Sequence, residues 1–254
     1  MIEGYKASVA RTSPPSPSHQ ISPAGKILRP AMGEFARDEK KNLVMGTATA
    51  TRIIAAAVHS YAQFPDRILF VNQNGFLAEY EYATGEIATI QRPGFFISDQ
   101  QFQFIPSLTG EIAILDSAGG VFMLTPANNL EIFQGQANTV SFDAAGQKLL
   151  VVKPQTIEVI WREANRIQPF QKKGTREEIF HSNQPILDAH WFFEDNAHIA
   201  LRTKDEILLV ELDGRGGRNS VPLVSEKTDE LITLPDLPNT IFFRIEKRWY
   251  KIEL

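Results

Sequence analysis

From Arg67 onward the apolar positions fall in short β-branched and aromatic runs separated by turn residues, with almost no stretch patterned for a long helix. The first unit reads RILFVN, then Gln73-Asn74-Gly75, then FLAEYEY, then Ala83-Thr84-Gly85, then EIATI. Three strands and two tight turns are legible. Asn74-Gly75 supplies the positive φ angles of a two-residue hairpin turn, and Thr84-Gly85 offers a second glycine-bearing turn, so consecutive strands pair antiparallel.

The same grammar returns as EIAILD, VFMLT and LEIF, then as NTVSFDAAG, QKLLVV and QTIEVIW. It returns again as ILDAHWFFEDN, AHIALR, EILLVEL and SVPLV, and ends as NTIFFRI and RWYKIEL. Counting from Phe76, Val121, Gln155, Glu206 and Arg248, the intervals are 45, 34, 51 and 42 residues, an irregular period that brackets propeller blades. Ile68–Val71, Ile112–Leu115 and Leu149–Val152 are continuous apolar runs, as expected of strands covered on both faces. Ile157-Glu158-Val159 and Tyr250–Leu254 alternate, as expected nearer a solvent rim. A β-sandwich is the structural competitor, and the repeated four-strand unit favours an all-β propeller of four-stranded antiparallel blades.

Four units and a final partial one make about five recognisable blades, and ring closure stays open. The chain stops at the end of a third strand, so the reading takes the missing outer strand from the region around Leu43 to Ile54, as a strand-exchange clasp. The alternative is a ring whose earlier blades are absent, with an exposed edge.

Residues 1–41 read as a flexible, basic, Pro/Ser-rich tail, with Pro14, Pro15, Pro17, Pro23 and Pro30 among serines, and residues 42–254 as the propeller domain. The tail carries seven Lys or Arg against four Asp or Glu (+3), leaving 19 against 26 (−7) for the rest. No secretory signal pattern is legible in residues 1–30, and Leu43–Val58 falls short of a membrane span. Between Thr47 and Phe64, Ile53, Ile54, Ala57, Val58 and Tyr61 fit a helix with Thr51 as its N-cap, while the Thr-Ala alternation fits a strand equally well.

Composition narrows the function classes. The 254 residues are 43% hydrophobic and 22% charged, the balance of a chain that folds in water. A net charge of −4 disfavours nucleic-acid tracking. The absence of cysteine removes disulfides, thiolate zinc sites and cysteine nucleophiles.

The stretches Ser141–Leu149 (SFDAAGQKL) and Trp191–Ile199 (WFFEDNAHI) resemble the F-S-P-D-G-x-x-I turn of TolB-like propeller repeats. EILLVELDGRGGRN and the terminal RWYKIEL are similar to the propeller region that accompanies PEGA domains in bacterial surface proteins. The likeness covers roughly residues 67 to 254, and departs from the repeat where Ala144 and Glu194 replace proline. It implies a non-enzymatic binding or scaffolding role, extracytoplasmic in the family, although no PEGA module or membrane anchor is recognisable ahead of the propeller. Tyr82-Ala83-Thr84-Gly85-Glu86 resembles a quinoprotein propeller turn but occurs once, and it reads more simply as a turn.

Chemistry-bearing motifs are sparse. There is no G-x-S-x-G elbow, H-E-x-x-H, P-loop or Rossmann fingerprint, and no catalytic residue or cofactor is assigned. His181, His190 and His198 lie near Asp188, Glu194 and Asp195 without a metal-ligand spacing, so no metal is assigned. Arg215 and Arg218, in the run DGRGGRN, are the binding candidates: backbone amides and two guanidinium groups suit an anion. Trp161, Trp191 and Trp249 suit carbohydrate stacking or, more simply, packing between blades. The leading expectation is a non-catalytic platform for a protein or cell-envelope polymer. Its competitor is a propeller glycosidase or lyase using acidic residues at the central opening.

Overall fold

The computed structural model describes residues 8–15, 34–46, 51–91, 100–133, 135–167 and 169–254, and among these every long regular element is a β-strand. In chain order, β1 (Ser8–Thr12) precedes a sheet of β2 (Glu34–Arg37), β3 (Leu43–Gly46) and β4 (Thr51–Ala55). Then come β5 (Val58–Gln63), β6 (Arg67–Asn72), β7 (Leu77–Glu81) and β8 (Ile87–Gln91), followed by β9 (Phe102–Pro106), β10 (Ile112–Asp116), β11 (Val121–Leu124) and β12 (Leu130–Phe133). The next two sheets are β13 (Thr139–Phe142), β14 (Lys148–Val152), β15 (Thr156–Trp161) and β16 (Arg176–His181), and β17 (Asp188–Phe192), β18 (His198–Arg202), β19 (Ile207–Glu211) and β20 (Ser220–Val224). The last contains β21 (Glu230–Leu234), β22 (Leu237–Ile245) and β23 (Arg248–Glu253), in the order β1-β23-β22-β21. Every strand pairs antiparallel with its sheet neighbour.

The chain forms two compact units. The amino-terminal unit comprises residues 23–106 and 110–134, and the carboxyl-terminal unit comprises residues 1–22, 107–109 and 135–254. In the amino-terminal unit β6 turns Ile68 and Phe70 toward Phe35, Leu43 and Ile54, and Leu69 and Val71 toward Ile112, Ile114 and Leu124. Period-two alternation therefore feeds two cores from one strand. Phe35, Tyr80 and Tyr82 close the first core, with the Phe35 and Tyr82 rings stacked 5.5 Å apart.

The carboxyl-terminal unit repeats the scheme. Leu150, Val159 and Trp161 pack against Trp191, Ile199 and Leu201, while Phe192, Ala200 and Leu209 pack against Ile241, Phe243 and Ile252. Burial of a middle strand on both faces is why the sequence shows continuous apolar runs there.

Two features differ from the sequence reading. The outer strand beside β23 is Ser8–Thr12, over the register Ser8↔Glu253 to Thr12↔Trp249, and not a segment from Leu43 to Ile54. Leu43 and Ile54 are committed to a core of their own, whereas an outer strand needs little more than backbone pairing, and Val9 stays 59% exposed. Second, residues 1–41, read as a tail, contribute β1 and β2; Pro17, Pro23 and Pro30 lie outside the described residues. Where the sequence left helix and strand open, Thr51–Gln63 is two strands with Ala57 at φ 54 between them. Ile54 and Val58, spaced like a helical pair, reach the same core from different sheets.

Candidate binding surface

Within each four-stranded sheet the first-to-second and third-to-fourth connections emerge at the same end, because antiparallel strands reverse direction each time. In the carboxyl-terminal unit these connections form one hydrogen-bonded face. Arg162 N and Glu163 N both donate to Gln147 O (2.7 and 3.2 Å). Leu212 N donates to Ala197 O (2.8 Å), and Ala144 N donates to Asn196 Oδ1 across the two sheets (3.2 Å). Asp143 Oδ1 accepts from Gln147 N and Lys148 N (2.7 and 3.0 Å), which is the local reason for the Phe-Asp-x-x-Gly turn.

The β15–β16 hairpin dominates this face. Reciprocal backbone bonds between Asn165 and Gln171 (2.9 and 3.1 Å) staple its neck, and Asn165 Nδ2 donates to Pro169 O (2.8 Å). Gly174, at φ 82, returns the chain by donating its N–H to Trp161 O (2.7 Å). The tip holds Ile167 and Phe170 out at 74% and 68% exposure. Leu108, 84% exposed, belongs to the same unit and lies beside the β13–β14 turn, where Thr109 Oγ1 donates to Gly146 O (3.4 Å). These are the three most exposed large hydrophobic side chains among the described residues. Each forgoes about 1.5–3 kcal/mol of burial, and grouping on one face separates them from ordinary scattered surface residues.

Charge is uneven on this face. Residues 164–176 contain Arg166, Lys172, Lys173 and Arg176 and no carboxylate, in a chain of net charge −4. Lys173 pairs with Glu163 (3.0 Å) and Arg176 with Glu158 (2.5 Å). Arg166 and Lys172 have no ion-pair partner among the described residues and are exposed.

The sequence candidates have internal partners. Arg215 chelates Asp213, its Nε donating to both carboxylate oxygens at 2.9 Å, and this contact holds the Asp213 carboxyl down at about 2. Arg218 reaches to the preceding sheet, donating to Glu177 Oε1 (2.6 Å) and Glu178 O (3.1 Å), and also donates to Leu212 O (3.0 Å) within its own connection. Arg218 is thus a strut between two sheets rather than a group presented to solvent. Glu177 also accepts from Gln171 Nε2 (3.1 Å), so the strut continues into the neck of the hairpin.

The histidines do not converge; each has its own carboxylate. His181 lies 4.0 Å from Glu178, His190 2.8 Å from Asp188 and His198 2.6 Å from Asp195. Burial pushes the Asp195 carboxyl up, but the bonds from His198 and the Ala197 N–H outweigh it, and the carboxyl sits below its ordinary range. Trp161 and Trp191 are core residues, with Lys148 Nζ 5.3 and 5.6 Å from their ring centroids and 3.0 Å from Asp143. Trp249 is half-buried under the Arg244 guanidinium, 5.8 Å from it. Asp188 and Glu230, acidic residues on the first strands of adjacent sheets, are engaged by His190 and by Arg244 (3.3 Å).

Sequence reasoning missed Ile167, Phe170 and Leu108. One signal was available: the longest repeat interval, 51 residues between Gln155 and Glu206, contains the hairpin.

No family model matches the chain, and no curated protein matches it. Solved structures do. YCF48 from Cyanidioschyzon merolae superposes with a TM-score of 0.50 at 11% identity, covering 86% of this chain and 76% of that one. YCF48 bound to a D1 peptide gives 0.45 at 12% identity, covering 87% and 74%. The extracellular domain of BT4673 from B. thetaiotaomicron, assigned as a hybrid two-component system, gives 0.49 at 11% identity, covering 87% of this chain and only 33% of that one. At such identity the first of these, YCF48 at a TM-score of 0.50, speaks to fold alone, and with the blade-like sheets it makes this chain an all-β protein of the β-propeller class.

Proposed function

We propose that the protein is a non-catalytic β-propeller that binds a protein partner, its blades holding the turn-bearing face of the carboxyl-terminal unit as a rigid platform. The observation that carries this reading is the stapled hairpin that keeps Ile167 and Phe170 in solvent, with Leu108 exposed at the β13–β14 turn of the same unit. Apolar anchors on a preorganised support are the economical way to build an interface, because little side-chain or loop entropy is lost on docking. The TolB-like motifs at residues 141–149 and 191–199, with the PEGA-associated likeness at 206–219 and 248–254, support a partner at the bacterial cell envelope, protein or polymer.

Site-specific photocrosslinking in the native host tests the reading. A photoreactive phenylalanine is introduced singly at Leu108, Ile167 and Phe170, and, as controls, at the exposed Ile53 and Ile132 of the amino-terminal unit. Discrete protein adducts are expected from the first three positions and background from the controls. Equal yields from all five positions contradict the proposal.

A further inference from the structure

We infer that the surface around the β15–β16 hairpin receives an acidic protein segment, one whose carboxylates flank an apolar seat for Ile167 and Phe170. The inference rests on the binding reading above and adds the chemistry of the partner. Residues 164–176 are the relevant local feature: four cations, no carboxylate, and the apolar pair between Arg166 and Lys172. Arg166 and Lys172 are exposed and lack an ion-pair partner among the described residues. Two cations flanking two apolar anchors on a stapled tip form a pattern whose complement is acidic at the edges and apolar in the middle.

The occupant is a discrete segment rather than an anionic bilayer because the rest of the face is mixed in sign. Glu163, Asp195 and Asp213 lie on the same connections and Glu177 at the adjoining start of β16, beside the Lys173, His198, Arg215 and Arg218 groups that pair with them, and Glu194 is exposed there. A uniformly negative plane meets these carboxylates as well as the cations, so its net attraction is small. A protein segment can set its carboxylates opposite Arg166 and Lys172 alone. The backbone supports this specificity, since the Asn165–Gln171 bonds and the Gln171–Glu177–Arg218 chain fix where the two cations stand.

The test uses the full chain and two defined probes: a display library of random peptides, and vesicles containing phosphatidylserine in phosphatidylcholine. Peptides retained by the wild type are counter-screened on Ile167→Ser/Phe170→Ser, then on Arg166→Glu/Lys172→Glu. Circular dichroism first establishes that both variants are folded, as expected for exposed positions.

The expected result is that peptides lost on the serine variant are enriched in Asp and Glu alongside Leu, Phe or Trp. Their affinity should fall about tenfold or more between about 0.05 and about 0.5 M salt, a dependence that flattens in the charge-reversed variant. Peptides that depend on Ile167 and Phe170 without acidic enrichment, or without salt dependence, overturn this inference and leave the binding reading standing. Absence of any peptide that distinguishes wild type from the serine variant overturns both. Vesicle binding that needs Ile167 and Phe170, with no peptide binding, overturns it in favour of a bilayer.

Discussion

Replacing Arg218 by Ala separates a solvent-facing anion site, which the glycine-rich run suggests, from the strut that the fold displays. The wild-type guanidinium pairs with Glu177 at 2.6 Å, with side-chain exposures of 19% and 29%, and caps the carbonyls of Glu178 and Leu212 at 3.1 and 3.0 Å. An ion pair that is partly exposed contributes no more than about 1 kcal/mol. The two carbonyls, each losing a charged donor while partly regaining water, add about 1 kcal/mol apiece. Arg218 Nε is buried without a partner, so truncation also removes a small unfavourable term. The net expectation is a loss of about 2 kcal/mol.

Arg218→Lys should recover only part of that loss, because a single ammonium cannot span three acceptors in the plane of a guanidinium fork. Arg215→Ala, whose side chain lies in solvent against Asp213, should leave stability unchanged within error. Urea unfolding followed by fluorescence reads these changes directly, since Trp161 and Trp191 are buried in the same unit. The comparison is of midpoints at constant denaturant slope. An Arg218→Ala midpoint that matches the wild type, or a lysine variant as stable as the arginine, refutes the strut. Weaker binding of a partner with no loss of stability would return Arg218 to the role of a presented cation.

Gly120→Ala puts a Cβ 2.5 Å from Asp116 Oδ2, the carboxylate whose Oδ1 accepts from Ala118 N and Gly120 N. That clash should cost about 1–3 kcal/mol by thermal or urea unfolding. Gly174→Ala meets nothing within 4 Å and pays only for its positive φ, about 1 kcal/mol; equal losses would contradict the steric account. The Tyr82 hydroxyl, buried and near Asp66, is pushed up to about 12 from 10.0. Its stabilising contribution is fully present below pH 10.0 and is lost as pH rises through about 12, so Tyr82→Phe should remove part of the alkaline fall in stability; an unchanged alkaline limb counts against it. Deleting residues 1–13 removes β1, whose Val9, Ala10 and Arg11 are exposed. Backbone bonds of about 1 kcal/mol each roughly balance about 1–2 kcal/mol per residue of ordering entropy. Stability should change little, while the bared β23 edge should drive self-association visible by light scattering; a monomeric truncation contradicts that.

Much of the fold was legible because a blade advertises itself locally. Ile112–Leu115 and Leu149–Val152 are unbroken apolar runs, and Asn74-Gly75 marks a hairpin whatever surrounds it. Strands β5 and β9 escaped, since Val58–Gln63 and Phe102–Pro106 mix Ser, His, Gln and Pro with their apolar positions. The candidate surface was scarcely legible. Ile167 and Phe170 carry the same letters as core residues, and only their position on a stapled hairpin tip distinguishes them.

The sequence by itself determined what short-range physics can determine: strands and their turns, unbroken apolar runs that need sheets on both sides, and no cysteine chemistry. It could not choose the partner of an edge, because every unsatisfied strand offers the same backbone donors and acceptors. Tertiary structure made that choice by giving β23 to Ser8–Thr12 and keeping Leu43 and Ile54 for a core. It also decided the fate of the charges. Arg218 became a strut and Arg215 the partner of Asp213, while Arg166 and Lys172 stayed exposed beside the apolar tip. A cation's role depends on which carbonyls and carboxylates lie within reach, and that distance is set by residues about 40 positions away in the chain.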